Sequence, residues 1–223
     1  MTPRVTRRRA LAAAAAASFG LPAAAQAAPK PSHRRGSGLS LRVATFNASL
    51  HRTAEGQLLE DLAADTDTGV GEDPQIRAVA EIIQINNPDI VLLNEFDHDE
   101  DGTGVELFQK NYLEVSQNEK SPVTYRYAFT APVNTGVPSG HDLNQDGTVG
   151  GPEDAWGFGE FPGQYGMVIL SRYPILTEQV RTFQKLRWAD MPSSLLPTEY
   201  YAPQIASELR LSSKSHWDVP VRV

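Results

Sequence analysis

The sequence predicts an α+β domain that begins near Leu41. Three observations predict it: a strand, helix, strand succession between residues 41 and 94, a second helical segment after it, and a run of strand-like segments towards the C-terminus.

Residues 41–46 (LRVATF) alternate apolar and polar side chains with β-branched content, which reads as a strand ending at Asn47. After a polar loop, Asp73-Pro74 is a helix start, with a capping carboxylate followed by a residue whose fixed φ suits the first turn. Ile76, Val79, Ala80, Ile82 and Ile83 then recur at helical spacing until Asn86-Asn87-Pro88. Residues 89–94 (DIVLLN) are continuously apolar and too short for a helix, so they read as a strand buried on both faces. A crossover of this kind is right-handed with parallel strands, and it brings Asn47 and Glu95 to one edge of the sheet, where such proteins build sites. Downstream the pattern predicts a helix at 105–113, a strand at 124–130, a long loop, and strands at 165–171, 179–183, 207–211 and 218–223.

The N-terminus carries Arg4, Arg7, Arg8 and Arg9 before an Ala/Leu-rich stretch and a small-residue site at Ala25-Gln26-Ala27, the pattern of an export signal at 1–27. The paired arginines favour the twin-arginine route and a periplasmic or extracellular location, with a Pro/Ser/Gly-rich tether at 28–40 and the domain at 41–223. The chain holds 27 Asp+Glu against 20 Lys+Arg, a formal charge of −7, and removal of the four signal arginines makes the remainder more acidic. That balance argues against nucleic-acid binding through a broad basic surface. With no Cys, no disulfide staples an exported chain, so stability falls to the core or to bound metal. No stable membrane span is expected once the signal is removed.

The sharpest local motif runs from Asp142 to Glu153 and fits D-x-[DN]-x-[DN]-G-x₅-E. Asp142, Asn144 and Asp146, the Thr148 carbonyl and a final Glu153 supply hard oxygens at calcium-loop spacing. Pro138, Gly140, Pro152 and Gly157 exclude the flanking helices of an EF-hand, so a lone structural Ca²⁺ loop is expected, against a solvated Asp/Asn/Gly turn. Asn47 alone reads as a strand-closing turn residue. Glu95, directly after the buried run, can hold a hard divalent cation. Asp97, His98, Asp99, Glu100 and Asp101 read as a solvated charge run, and His51 and His141 lie in polar loops without a second metal ligand. His216 beside Trp217 reads as packed or exposed, and no Ser/His/Asp or Cys/His set can be argued.

Three segments, Leu41 to Asn47, Ile90 to Glu95, and Gly166 to Ile175 (GMVILSRYPI), taken in this order, resemble the endonuclease/exonuclease/phosphatase superfamily of deoxyribonuclease I-like fold. The Gly-Gln-Tyr-Gly-Met lead-in and the calcium-type loop resemble an exported bacterial branch of it. The resemblance implies a four-layer α/β/β/α sandwich, of which this chain is the N-terminal portion. It further implies a metal-dependent phosphoester hydrolase (phosphodiesterase, nuclease or phosphatase), with Asn47 orienting the phosphate and Glu95 ligating Mg²⁺ or Mn²⁺. The family's later His, Asp-x-Asn and Asp-His elements have no counterpart before Val223. The chain alone is therefore expected to turn over little, and an exposed sheet face is expected where the remaining half would pack. The alternative is a non-catalytic exported calcium-binding or interaction module. The substrate stays open between nucleic acid, phospholipid and small phosphoesters, as does the oligomeric state.

Overall fold

The structure, a computed structural model, describes residues 40–223. The expected export signal, and all of the expected tether except Ser40, lie outside the described residues.

Strand β1 spans Val43–Leu50 and pairs in parallel with β2, Ile90–Phe96, as the crossover pattern requires. Between them lie a short helix α1, Gln57–Leu62, and the longer α2, Pro74–Asn86. The α2 start is the one read from Asp73-Pro74: the Asp73 carboxylate accepts from Ile76 N at 2.8 Å, and the helix ends at Asn87 in the left-handed region. The second helix pattern splits into α3, Thr103–Phe108, and a π turn over Gln109–Leu113. Then come β3, Tyr127–Phe129, and β4, Met167–Ser171. These strands form one sheet in the order β1-β2-β4-β3, with β4 antiparallel to both β2 and β3.

Register divides this sheet into two unlike faces. Ala44, Phe46, Val91, Leu93, Val168 and Leu170 form the face that packs on Leu58 and Leu62 of α1, Ile76, Val79, Ala80 and Ile83 of α2, and Val105 and Phe108 of α3. Leu93 and Phe108 are fully buried there, and truncating either to Ala is worth about 2–5 kcal/mol. The other face carries Thr45, Asn47, Leu92, Asn94 and Ile169, all exposed or half-buried.

A two-stranded sheet pairs β5, Arg181–Thr182, with β6, Trp217–Asp218, and an edge-on contact of Phe129 with Trp217 at 5.0 Å joins it to β3. Two strand expectations fail here. Residues 207–211 are not a strand: α4, Pro203–Glu208, takes the first half, because Pro203 presets the first turn, and only Arg210 forms an isolated bridge with Arg187. At 218–223 pairing stops after Asp218 except for a bridge from Val221 to Ile175, since Pro220 has no N–H to give a ladder. Among the described residues no helix is long and apolar enough to cross a membrane.

Candidate active site at the sheet edge

The predicted edge exists. Asn47 on β1 faces Asn94 on β2 in parallel register, and Glu95 follows Asn94. One extra residue then bulges β1 between Asn47 and Leu50, with Ser49 at φ 52. The Asn47 carbonyl oxygen accepts from Ser49 N at 3.1 Å and so holds this bulge, while its amide nitrogen makes no side-chain hydrogen bond among the described residues. Asn94 donates to Thr45 Oγ1 at 3.3 Å, and that bond leaves its carbonyl oxygen over. Glu95 itself sits at φ 59, a left-handed conformation that a Glu adopts only when its surroundings hold it.

Those surroundings come from loops distant in sequence. His51 Nδ1 stands 3.4 Å from Glu95 Oε2, buried and without a hydrogen bond, where the sequence placed His51 in a polar loop without a second metal ligand. The Tyr165 ring lies 4.5 Å from the His51 ring, and the exposed Phe158 lies 6.5 Å beyond Tyr165. Tyr165 is also left-handed, at φ 55, and its N–H donates to Asp97 Oδ1 at 2.9 Å. Asp97 Oδ2 accepts from Arg52 N at 2.7 Å. Asp97 therefore belongs to the site frame and not to a solvated charge run. Burial pushes its carboxyl above the ordinary range, against the hydrogen bonds from Arg52 and Tyr165 and the charges of His51 and Arg52.

Gln164, buried, ties the same loops a second time by donating to the Arg52 carbonyl at 2.5 Å and accepting from Glu160 N at 2.7 Å. The glycines around it permit the approach. A Cβ on Gly166 would lie 2.6 Å from the Phe96 carbonyl, and one on Gly163 2.8 Å from that of His98. The Gly-Gln-Tyr-Gly sequence is thus the piece of chain that can lie against the end of β2.

Glu95 and the Asn47 and Asn94 amides are oxygen donors suited to Mg²⁺ or Mn²⁺, and Mg²⁺ needs only one or two protein carboxylates because it keeps most of its waters. The buried His51 Nδ1 makes no hydrogen bond, and Glu95 Oε2 stands 3.4 Å from it. Among the described residues no three His, Asp or Glu side chains converge on one point.

The calcium-type loop is a separate structure. Asp142 accepts from the N–H groups of Asp146 and Gly147 at 3.1 and 2.9 Å, Asn144 from Asp146 N at 3.0 Å, and Asp146 from Thr148 N at 2.8 Å. Glu153 is exposed. The carboxylate that organises the loop is its neighbour Asp154, which the sequence reading passed over: it accepts from Leu143 N at 2.6 Å, Asn144 N at 3.3 Å and Gly150 N at 2.8 Å. Burial works against the Asp154 charge, and these three donors outweigh it and hold the carboxyl below its ordinary range. His216 is exposed immediately before β6.

The family model described as "Endonuclease/Exonuclease/phosphatase family" matches residues 44–219. No curated protein matches the chain. Among solved structures, an endonuclease/exonuclease/phosphatase from Beutenbergia cavernae DSM 12333 is similar, at 22% identity and a TM-score of 0.38, over 82% of this chain and 34% of that one. The chain spans about a third of the length of that protein. The matched residues run from within β1 to β6 and take in Asn47, Glu95, Tyr165 and the calcium-type loop, so the chain belongs to the endonuclease/exonuclease/phosphatase family.

Proposed function

We propose that this chain is a metal-dependent phosphoester hydrolase by family, of low turnover by itself, whose metal is held by Glu95. The observation that carries the reading is the placement of Glu95: a left-handed carboxylate directly after the Asn47/Asn94 pair, on the sheet edge of a chain from this family. A divalent cation bound there supplies Lewis-acid polarisation of a phosphoryl oxygen. The chain's own residues do the rest. The amide nitrogen of Asn47 donates to a phosphoryl oxygen and fixes its direction. The Asp97 and Gln164 bonds to the Arg52 and Tyr165 backbone keep the two loops from moving away from Glu95. The substrate class is a phosphoester, be it nucleic acid, phospholipid or small molecule.

Two further parts of the reading concern the rest of the chain. Ca²⁺ binds the 142–153 loop through Asp142, Asn144, Asp146, the Thr148 carbonyl and Glu153, and its role is structural. The mature protein starts near Ala28 outside the cytoplasm, exported by the twin-arginine route; N-terminal sequencing of exported protein checks this.

Purified protein assayed with bis(p-nitrophenyl) phosphate and plasmid DNA tests the enzyme reading. Mg²⁺-dependent hydrolysis that Glu95→Gln abolishes supports it. Hydrolysis indifferent to chelator or to Glu95→Gln overturns it, and Ca²⁺ binding with neither hydrolysis nor Mg²⁺ or Mn²⁺ binding that depends on Glu95 favours the non-catalytic calcium-binding module.

A further inference from the structure

The loop between α4 and β6 reaches back to the site and delivers one cation there. Asn134, fully buried, donates through its amide to the Ser212 and Gln184 carbonyls, both at 2.7 Å, and its backbone N–H donates to the Lys214 carbonyl at 2.9 Å. Arg210 Nη1 in turn donates to the Asn134 side-chain oxygen. Ser213 lies so close to Gly157 that a Cβ there would stand 2.1 Å from the Ser213 carbonyl. The backbone of Lys214 is therefore fixed from two sides.

From that position Lys214 Nζ donates to the Tyr165 carbonyl and lies 5.5 Å from the Tyr165 ring centroid. Tyr165 is the residue whose ring stacks on His51 beside Glu95. Burying an ammonium costs free energy unless it finds a partner. Among the described residues Lys214 has no carboxylate within ion-pair distance, and its one hydrogen bond is to a neutral carbonyl. Two of the three ammonium donors remain for another partner. Glu95 and Asp97 are the carboxylates whose charge acts on the ammonium, and they favour its protonated form against the burial that lowers its pKa.

We propose that Lys214 is a substrate-contact residue of the Glu95 site, whose ammonium donates to a non-bridging oxygen of the phosphoryl group. The assignment rests on the phosphoester reading and deepens it by naming the cation that offsets the substrate's charge. A half-buried side chain on a fixed backbone, already held through the Tyr165 carbonyl, loses less freedom on binding than an exposed one, which suits a single point charge aimed at one anion.

The test uses metal-free protein with inorganic phosphate as the probe, followed by calorimetry and by ³¹P line broadening. Lys214→Met is expected to weaken phosphate binding about tenfold or more, and Lys214→Arg to restore part of it. Glu95→Gln is expected to strengthen phosphate binding while losing the metal, so a failure of the metal reading is seen apart from a failure of this one. Should Lys214→Met not fold, acetylation of Lys214 in the unmodified protein, read by mass spectrometry, replaces it: phosphate is expected to protect the amine and chloride at equal ionic strength is not. No phosphate binding by the unmodified protein, equal affinity in folded Lys214→Met, or equal acetylation in the two salts overturns the proposal.

Discussion

His51 and Glu95 stand side by side at the carboxyl end of the β1/β2 pair, Nδ1 to Oε2 at 3.4 Å, although 43 residues and two helices separate them along the chain. The parallel crossover brings the two strand ends together. The β1 bulge and the left-handed turns at Ser49 and Glu95 then set the directions in which the side chains leave the sheet.

Asp97 carries the frame around this pair. In Asp97→Asn the amide can no longer accept from both Arg52 N and Tyr165 N, so the variant is expected to lose about 1–3 kcal/mol of stability. Urea unfolding measures it, and an unchanged midpoint contradicts the role given to Asp97.

Gly166→Ala forces a Cβ into the Phe96 carbonyl, where Phe96 N also donates to the Gly166 carbonyl at 3.2 Å. Neither backbone can retreat without breaking that bond, and about 1–3 kcal/mol of destabilisation is expected. A melting temperature equal to that of the unmodified protein contradicts the close approach.

Much of this frame could be read in the sequence, because its signals are local. Asp73-Pro74 marks a helix start through the φ of proline and a short capping side chain. The length and apolarity of residues 90–93 mark a strand, although only one of its faces is fully buried and not both as expected, and the crossover rule then places Asn47 beside Glu95. His51 and Lys214 had no such signal, and Tyr165 had only the Gly-Gln-Tyr-Gly-Met lead-in, which does not say what its ring touches. They sit in irregular loops far apart in the chain, and long-range bonds such as Gln164 to Arg52 and Asn134 to Ser212 bring them together. The stretch 207–211 misled for a related reason: its alternation suits a strand, yet Pro203 starts a helix over its first half and pairing is confined to the single bridge of Arg210 with Arg187.

His98 gives the protein a pH dependence of known sign. Thr130 Oγ1 donates to the Met167 carbonyl, so it accepts from His98 Nδ1, and burial holds the His98 imidazole below its ordinary 6.5 against the charges of Asp99 and Glu100. A folded pKa below the unfolded one means that His98 contributes stability in full above pH 6.5, and that this is lost as pH falls through the folded value. Urea midpoints between pH 7.5 and 5 are expected to fall, and to fall less in His98→Gln. Equal slopes in the two proteins contradict the assignment.

The calcium-type loop is expected to separate two carboxylates by role. Ca²⁺ is expected to raise the melting temperature and Asp146→Ala to remove most of that rise. Asp154→Ala is expected to lower the melting temperature with or without Ca²⁺, because three backbone N–H groups lose their acceptor. Identical melting curves in Ca²⁺ and in chelator leave the loop as a hydrogen-bonded turn.

Mn²⁺ titration of the purified protein, followed by electron paramagnetic resonance and calorimetry, tests most directly that Glu95 is the metal ligand of this sheet edge. Glu95→Gln is expected to abolish one Mn²⁺ site that Asp146→Ala and Glu153→Gln both retain. Mn²⁺ binding unchanged by Glu95→Gln, or lost instead in Asp146→Ala, contradicts the account.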